Sequence, residues 1–271
     1  VLTSVLVLLC FGSLSGLTTV LFGFGGGFVT VPVVFAVTGA TAGPEAMHVA
    51  VATSTAVMIV NAAVATLTQL RAGHLRREYL FPLSLFIAIG AACGALAAVA
   101  AAPAVLTTLF IAYLAATIAD CVVRRGFFLD RSGAATAAPE HPGTAISTLG
   151  GLGIGAIASF LGVGGSVMTV PMLRRRGLAM AEAAALANPL SLPVALVGTL
   201  VYAAAAPATT RPGHLGQIDL IAAAALLAGA LPTIALTRRL AARIPDRAHA
   251  IGYLGFLTVV LIAMVVTQFV N

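Results

Sequence analysis

The chain alternates long apolar runs with short polar turns. Runs near the ~20 residues that a bilayer crossing requires cover 47–70, 79–101, 104–123, 183–206, 218–237 and 251–270. Two more, 1–22 and 144–160, each lead into a glycine cluster, and the apolar stretches that follow, 28–38 and 166–173, are too short to cross as ordinary helices. A glycine cluster cannot continue a good helix, since each Gly costs roughly 1 kcal/mol relative to Ala in a helix interior. The pattern therefore predicts two helix breaks, with new helices starting near Phe28 and Val167. Residues 124–143, which include Arg124, Arg125, Pro139 and Pro142, read as a polar linker.

The two glycine clusters are copies. Adding 139 to the numbers of Gly23-Phe24-Gly25-Gly26-Gly27-Phe28-Val29-Thr30-Val31-Pro32 gives Gly162-Val163-Gly164-Gly165-Ser166-Val167-Met168-Thr169-Val170-Pro171, and the same offset pairs Gly12 and Gly16 with Gly151 and Gly155. A second motif, Arg71-Ala72-Gly73-His74-Leu75, returns at offset 140 as Arg211-Pro212-Gly213-His214-Leu215. At offset 137, Glu45 matches Glu182 and Ser54 matches Ser191. The expected fold is an all-α polytopic membrane protein of two repeats, 1–123 and 144–271, joined by a cytoplasmic linker over 124–143. Each repeat holds a glycine-broken hairpin, re-entrant in one reading, and three spanning helices.

Composition agrees with a membrane location: 60% of the 271 residues are hydrophobic and 8% charged, against roughly 25% charged in soluble domains. A net charge of +6 would suggest nucleic acid in a soluble chain, but all 14 basic residues are Arg and lie between apolar runs. Their placement reports orientation instead. If each glycine break returns the chain to its starting face, Arg71, Arg76, Arg77, Arg124, Arg125, Arg131, Arg174, Arg175, Arg176, Arg238, Arg239, Arg243 and Arg247 share one side and only Arg211 lies opposite; if each break merely kinks a crossing helix, the split is seven against seven. Cytoplasmic loops carry the Arg and Lys excess, so the hairpin reading is preferred. Each repeat then has an odd number of membrane segments, and the second is inverted relative to the first. Both termini fall on the periplasmic or extracellular side of the cell inner membrane. Residues 1–22 lack a basic leading region and belong to the repeat, so they read as membrane segment and not as a signal peptide. Inverted repeats with broken helices are the pattern of secondary transporters.

The paired G-x-G-G-G/S-x-x-x-x-P segments, the G-H-L that follows the next spanning helix in each half, and the chain length resemble the sulfite exporter TauE/SafE family of membrane permeases. The resemblance covers essentially the whole chain. It implies a permease or exporter of a small anion such as sulfite, a sulfonate or sulfoacetate, without choosing among them. The second half departs from the first in Ser166, which stands where the first has Gly27, and in Asn188-Pro189, near where the first has Val51-Ala52.

The residues themselves offer one site. A helix N-terminus presents unpaired N–H groups and about half a positive charge, so two of them brought together could bind a small oxyanion. Gly25, Gly26, Gly27, Gly164 and Gly165 would let the anion approach the backbone, and Thr30, Ser166 and Thr169 would add hydroxyls. Ser54 and Asn61, with Asn188 and Ser191 in the second half, are polar residues deep in spanning segments. The plainer reading is helix packing, and for the G-x-x-x-G spacings at Gly12, Gly16, Gly90 and Gly94 packing is the expectation. His74, His214 and Arg211 are gate or proton candidates; alternatively R-x-G-H-L is a helix end followed by a helix start. Asp120 is expected to pair with Arg124, and Arg174, Arg175 and Arg176 to anchor topology. Cys10, Cys93 and Cys121 read as core packing, with neither disulfide nor metal.

Enzyme classes fit poorly. Phe28 occupies the last glycine position of a dinucleotide fingerprint, and the histidines fall in or near loops, away from any deep serine. No cofactor motif is present. The expected partners are the anion, the bilayer and a coupling proton or sodium ion, with no nucleic acid; a homodimer is compatible with the sequence, and a passive anion channel is the alternative function.

Overall fold

The computed structural model describes residues 2–71, 82–123, 127, 146–205, 212–237 and 244–270. Among these, the order of elements is α1 (Leu2–Phe22), α2 (Gly27–Ala42), a 3-10 turn (Gly43–Glu45), α3 (Ala46–Arg71), α4 (Leu83–Ala100), α5 (Pro103–Val123), a π turn (Ile146–Gly150), α6 (Gly151–Leu161), α7 (Ser166–Arg175), α8 (Met180–Ala204), strands β1 (His214–Leu215) and β2 (Ile218–Asp219), α9 (Leu220–Thr237) and α10 (Asp246–Val270). Seven helices, α1, α3, α4, α5, α8, α9 and α10, contain spans long and apolar enough to cross a membrane. Large apolar side chains cover the outside: Leu96, Leu200, Leu236 and Val259 are all exposed. In a bilayer such a surface is the ordinary lipid-facing one. Cys10 and Cys93 sit on it, and only Cys121 is buried, which corrects the expectation of core packing for all three.

Bilayer lipid offers no hydrophobic force to press helices together, so close approach of backbones through small residues does that work. A Cβ at Gly12 or Gly16 of α1 would strike the carbonyls of Leu226 and Ala230 in α9, and one at Gly229 of α9 would strike that of Leu9. The same arrangement occurs between α4 and α6, where Gly90 and Gly94 lie on the carbonyls of Leu152 and Ala156, and Gly155 on that of Ile87. So α1 packs on α9 as α6 packs on α4: the first helix of each half rests on the fourth helix of the other. At the centre α3 lies against α8, and α5 against α10.

Two polar features differ from the sequence reading, and a third adds to it. Arg174 is fully buried: its guanidinium donates to Asp246 Oδ2 at 2.6 Å, to the carbonyl of Phe127 at 2.7 and 3.2 Å, and to that of Leu178 at 3.4 Å. Asp246 Oδ1 in turn accepts from the backbone N–H of Met180 at 2.6 Å. Arg174 is thus a clamp joining α7, the turn into α8, the start of α10 and Phe127, and not a membrane-surface anchor. Asp120 pairs with Arg175 at 2.5 Å; Arg124, its expected partner, lies outside the described residues. Finally, the second R-x-G-H-L motif enters a β-hairpin, with His214 opposite Asp219 and Leu215 opposite Ile218, where a helix end and helix start had been the alternative. Gly213 and Gly216 turn the chain there with φ of +82° and +57°.

Candidate functional site

Both predicted breaks are present. The first helix of each half ends in a left-handed glycine, Gly23 at φ +73° and Gly162 at φ +68°, where any side chain would strain the backbone. Gly162 closes a Schellman cap: its N–H bonds the Ser159 carbonyl at 3.3 Å, and the N–H of Val163 reaches back to the Ala158 carbonyl at 3.1 Å. The chain then folds back, so that Ser15, two turns before the end of α1, donates its hydroxyl to the carbonyl of Gly26 at 3.1 Å. In the other half Ile154 holds the corresponding place, 3.0 Å from where a Cβ on Gly165 would stand.

The two new helices start at Gly27 and Ser166, and neither has a side-chain cap. Each carries a proline at its sixth position, Pro32 and Pro171. Proline lacks the N–H that would bond the carbonyl four residues back, and the carbonyl that Pro171 releases, on Val167, accepts from the Tyr253 hydroxyl at 3.2 Å. Around the first break Phe22, Phe24 and Phe28 form an aromatic cluster with Phe110, Tyr253 and Phe256, Phe24 and Phe28 stacking at 4.9 Å.

The breaks meet. A Cβ on Gly27 would lie 2.8 Å from the carbonyl oxygen of Gly162, and one on Gly164 would lie 3.5 Å from that of Phe24. Ser54 of α3 stands at the junction, its hydroxyl 2.8 Å from the Gly27 carbonyl and 2.6 Å from that of Gly162. One hydroxyl has one proton, so it serves the two carbonyls in alternation and holds both breaks to α3. Residues 22–30 and 161–167 are all buried, as irregular backbone inside a membrane protein must be.

Side chains around the junction divide into engaged and free. Thr30 bonds back to the Gly26 carbonyl at 2.8 Å, and Ser191 to that of Ala187 at 3.0 Å. Asn61 Nδ2 reaches Ser15 at 3.4 Å, and Asn188 Nδ2 donates to the Thr19 carbonyl at 3.2 Å, so both amide nitrogens are occupied while their oxygens have no donor. The hydroxyls of Ser166 and Thr169 are buried without a partner. These two hydroxyls are the unpartnered donors beside the uncapped starts of α2 and α7. Arg174 and Arg175 lie in the last turn of α7, each paired with a carboxylate, Asp246 and Asp120. His214 sits apart in the hairpin, which touches α3 through the Asp219 N–H on Thr53 Oγ1 at 3.0 Å; His74 and Arg211 lie outside the described residues. Two junction residues escaped the sequence reading, Ser15 and Met58. Ser15 is enclosed by the G-x-x-x-G of Gly12 and Gly16; Met58 lies on α3 between Ser54 and Asn61, and that spacing was its signal.

The family model for the sulfite exporter TauE/SafE matches residues 8–264. The chain belongs to that family. Comparison with curated proteins and with solved structures gives no significant match. Membership in the TauE/SafE family makes this a multi-pass membrane protein of transport, of the sulfite and anion exporter kind, and accords with a non-enzymatic role.

Proposed function

We propose that this TauE/SafE protein is a secondary transporter of the inner membrane that exchanges a small, sulfur-containing anion between the two sides by alternating access. The observation that carries the reading is the junction itself: two uncapped helix N-termini converge, two buried hydroxyls beside them have no acceptor, and neither Asp nor Glu stands among the junction residues. An oxyanion supplies what those donors lack. Gly25, Gly26, Gly27, Gly164 and Gly165 give it access to the backbone, Ser166 and Thr169 donate to it directly, and Ser54 sets the spacing. Thr30, Asn61, Asn188 and Ser191 form the outer shell that holds the breaks in place.

The reciprocal packing of α1 on α9 and α6 on α4 supports two inverted repeats, 1–123 and 144–271; the arginine distribution is what favours a cytoplasmic linker and periplasmic termini. The fold-back of Ser15 onto Gly26 supports a hairpin at the first break. A carrier needs a site that closes before it reopens, and the fully buried junction suits its occluded stage. The proton or sodium coupling, and the gating by His74, His214 and Arg211, are extensions of this reading.

Counterflow of labelled sulfite in proteoliposomes tests it. Saturable exchange that unlabelled sulfite on the far side accelerates is the expected result. A bilayer conductance far above carrier turnover would replace the carrier with a passive anion channel.

A further inference from the structure

Met58 reaches into the junction from α3, and it is fully buried. A Cβ on Gly164 would stand 2.6 Å from its Sδ, one on Gly27 would stand 3.3 Å away, and one on Gly25 would lie 2.9 Å from its Cγ. The thioether therefore packs against both breaks at once. It lies one turn beyond Ser54, the residue that bonds both. On the other side it joins an apolar cluster with Ala62, Ile154, Leu190 and Ala195. At offset 137, which relates Ser54 to Ser191, Met58 corresponds to Ala195.

We propose that Met58 sets the size of the anion the site accepts, by occupying the volume beside the oxyanion head where a carbon-bearing tail would otherwise extend. This rests on the anion reading of the junction and adds a substrate limit to it. A Met side chain has three rotatable bonds and a soft sulfur, so it can withdraw far enough to admit a compact oxyanion while still excluding a longer one. The polar part of the ligand meets N–H and hydroxyl donors from α2 and α7, and its remaining face meets the thioether. The protein therefore prefers a compact anion such as sulfite to an extended one such as sulfoacetate.

The test is the ratio of binding constants for sulfite and sulfoacetate, measured by calorimetry on the purified full chain. Met58→Ala should shift the ratio toward sulfoacetate by at least about tenfold, the effect of removing more than one methylene-sized group from a pocket wall. Met58→Leu, which conserves volume, should leave it near the wild-type value. Met58→Val gives the same readout with a smaller truncation should the alanine variant not fold. If the wild type binds sulfite and the ratio is unchanged in Met58→Ala or Met58→Val, the size limit lies elsewhere and the proposal is overturned. If the wild type binds neither anion, the anion reading fails first and the role of Met58 fails with it.

Discussion

Position 27 has no room for a side chain, whereas the corresponding position 166 holds a serine. At Gly27 the carbonyl of Gly162 and the hydroxyl of Ser54 stand 2.8 and 3.1 Å from where a Cβ would be; at Ser166 the hydroxyl is buried with no partner at all. The same contrast runs along both short helices. Helix α2 has no basic residue in its last turn and is surrounded by aromatic rings, while α7 ends in Arg174 and Arg175 and is clamped to Asp246. At offset 139 the clamp positions correspond to Phe35 and Thr107, so the first half has no ion pair at those positions. What differs is therefore chemistry on a shared backbone plan: the unpartnered hydroxyls and the buried ion pair belong to α7, and the bulky thioether at the junction belongs to α3 through Met58.

The contrast can be broken most forcefully at the clamp. Arg174→Ala should cost about 3–5 kcal/mol by stranding the Asp246 carboxylate in a buried site. Thermal unfolding in detergent should show that loss; a melting temperature within a degree of wild type would mean that α7 needs no clamp. Next in size is the exchange of positions 27 and 166. Gly27→Ser should destabilise by roughly 1–3 kcal/mol through overpacking and abolish sulfite counterflow. Ser166→Gly should cost only about 1 kcal/mol, the helix penalty of glycine, and equal losses for the two would erase the asymmetry. Smaller again is the pair of serines. Ser54→Ala removes the one proton that the Gly27 and Gly162 carbonyls share and should cost about 1–3 kcal/mol. Ser191→Ala removes only a bond back to its own helix, and its melting curve should lie much closer to wild type.

Much of this contrast could be read from the chain before any coordinates, because periodicity and glycine are local signals. Helix starts at Gly27 and Ser166 fall one residue from the expected Phe28 and Val167. The G-x-x-x-G pairs proved to be packing surfaces because small residues in an apolar helix have few other uses. What could not be read depends on partners far along the chain. Arg174, Arg175 and Arg176 look alike in sequence, and only the arrival of Asp246, 72 positions later, makes the first of them a buried clamp. Met58 is one apolar residue within a long apolar run, and only its place between Ser54 and Asn61 sets it apart from core. The hairpin at 214–219 is only two residue pairs long, too short to leave a strand-like alternation, and its glycines resemble a helix cap equally well.

The central claim is that the free donors of α7 hold the anion. Its most direct measurement compares sulfite affinity in the Ser166→Ala/Thr169→Val double variant with that in Thr30→Val, whose hydroxyl is already bonded to the Gly26 carbonyl. Loss of two hydrogen bonds to a charged ligand should weaken binding by at least about tenfold, with Thr30→Val near the wild-type value. Wild-type sulfite affinity in a folded double variant would contradict the claim.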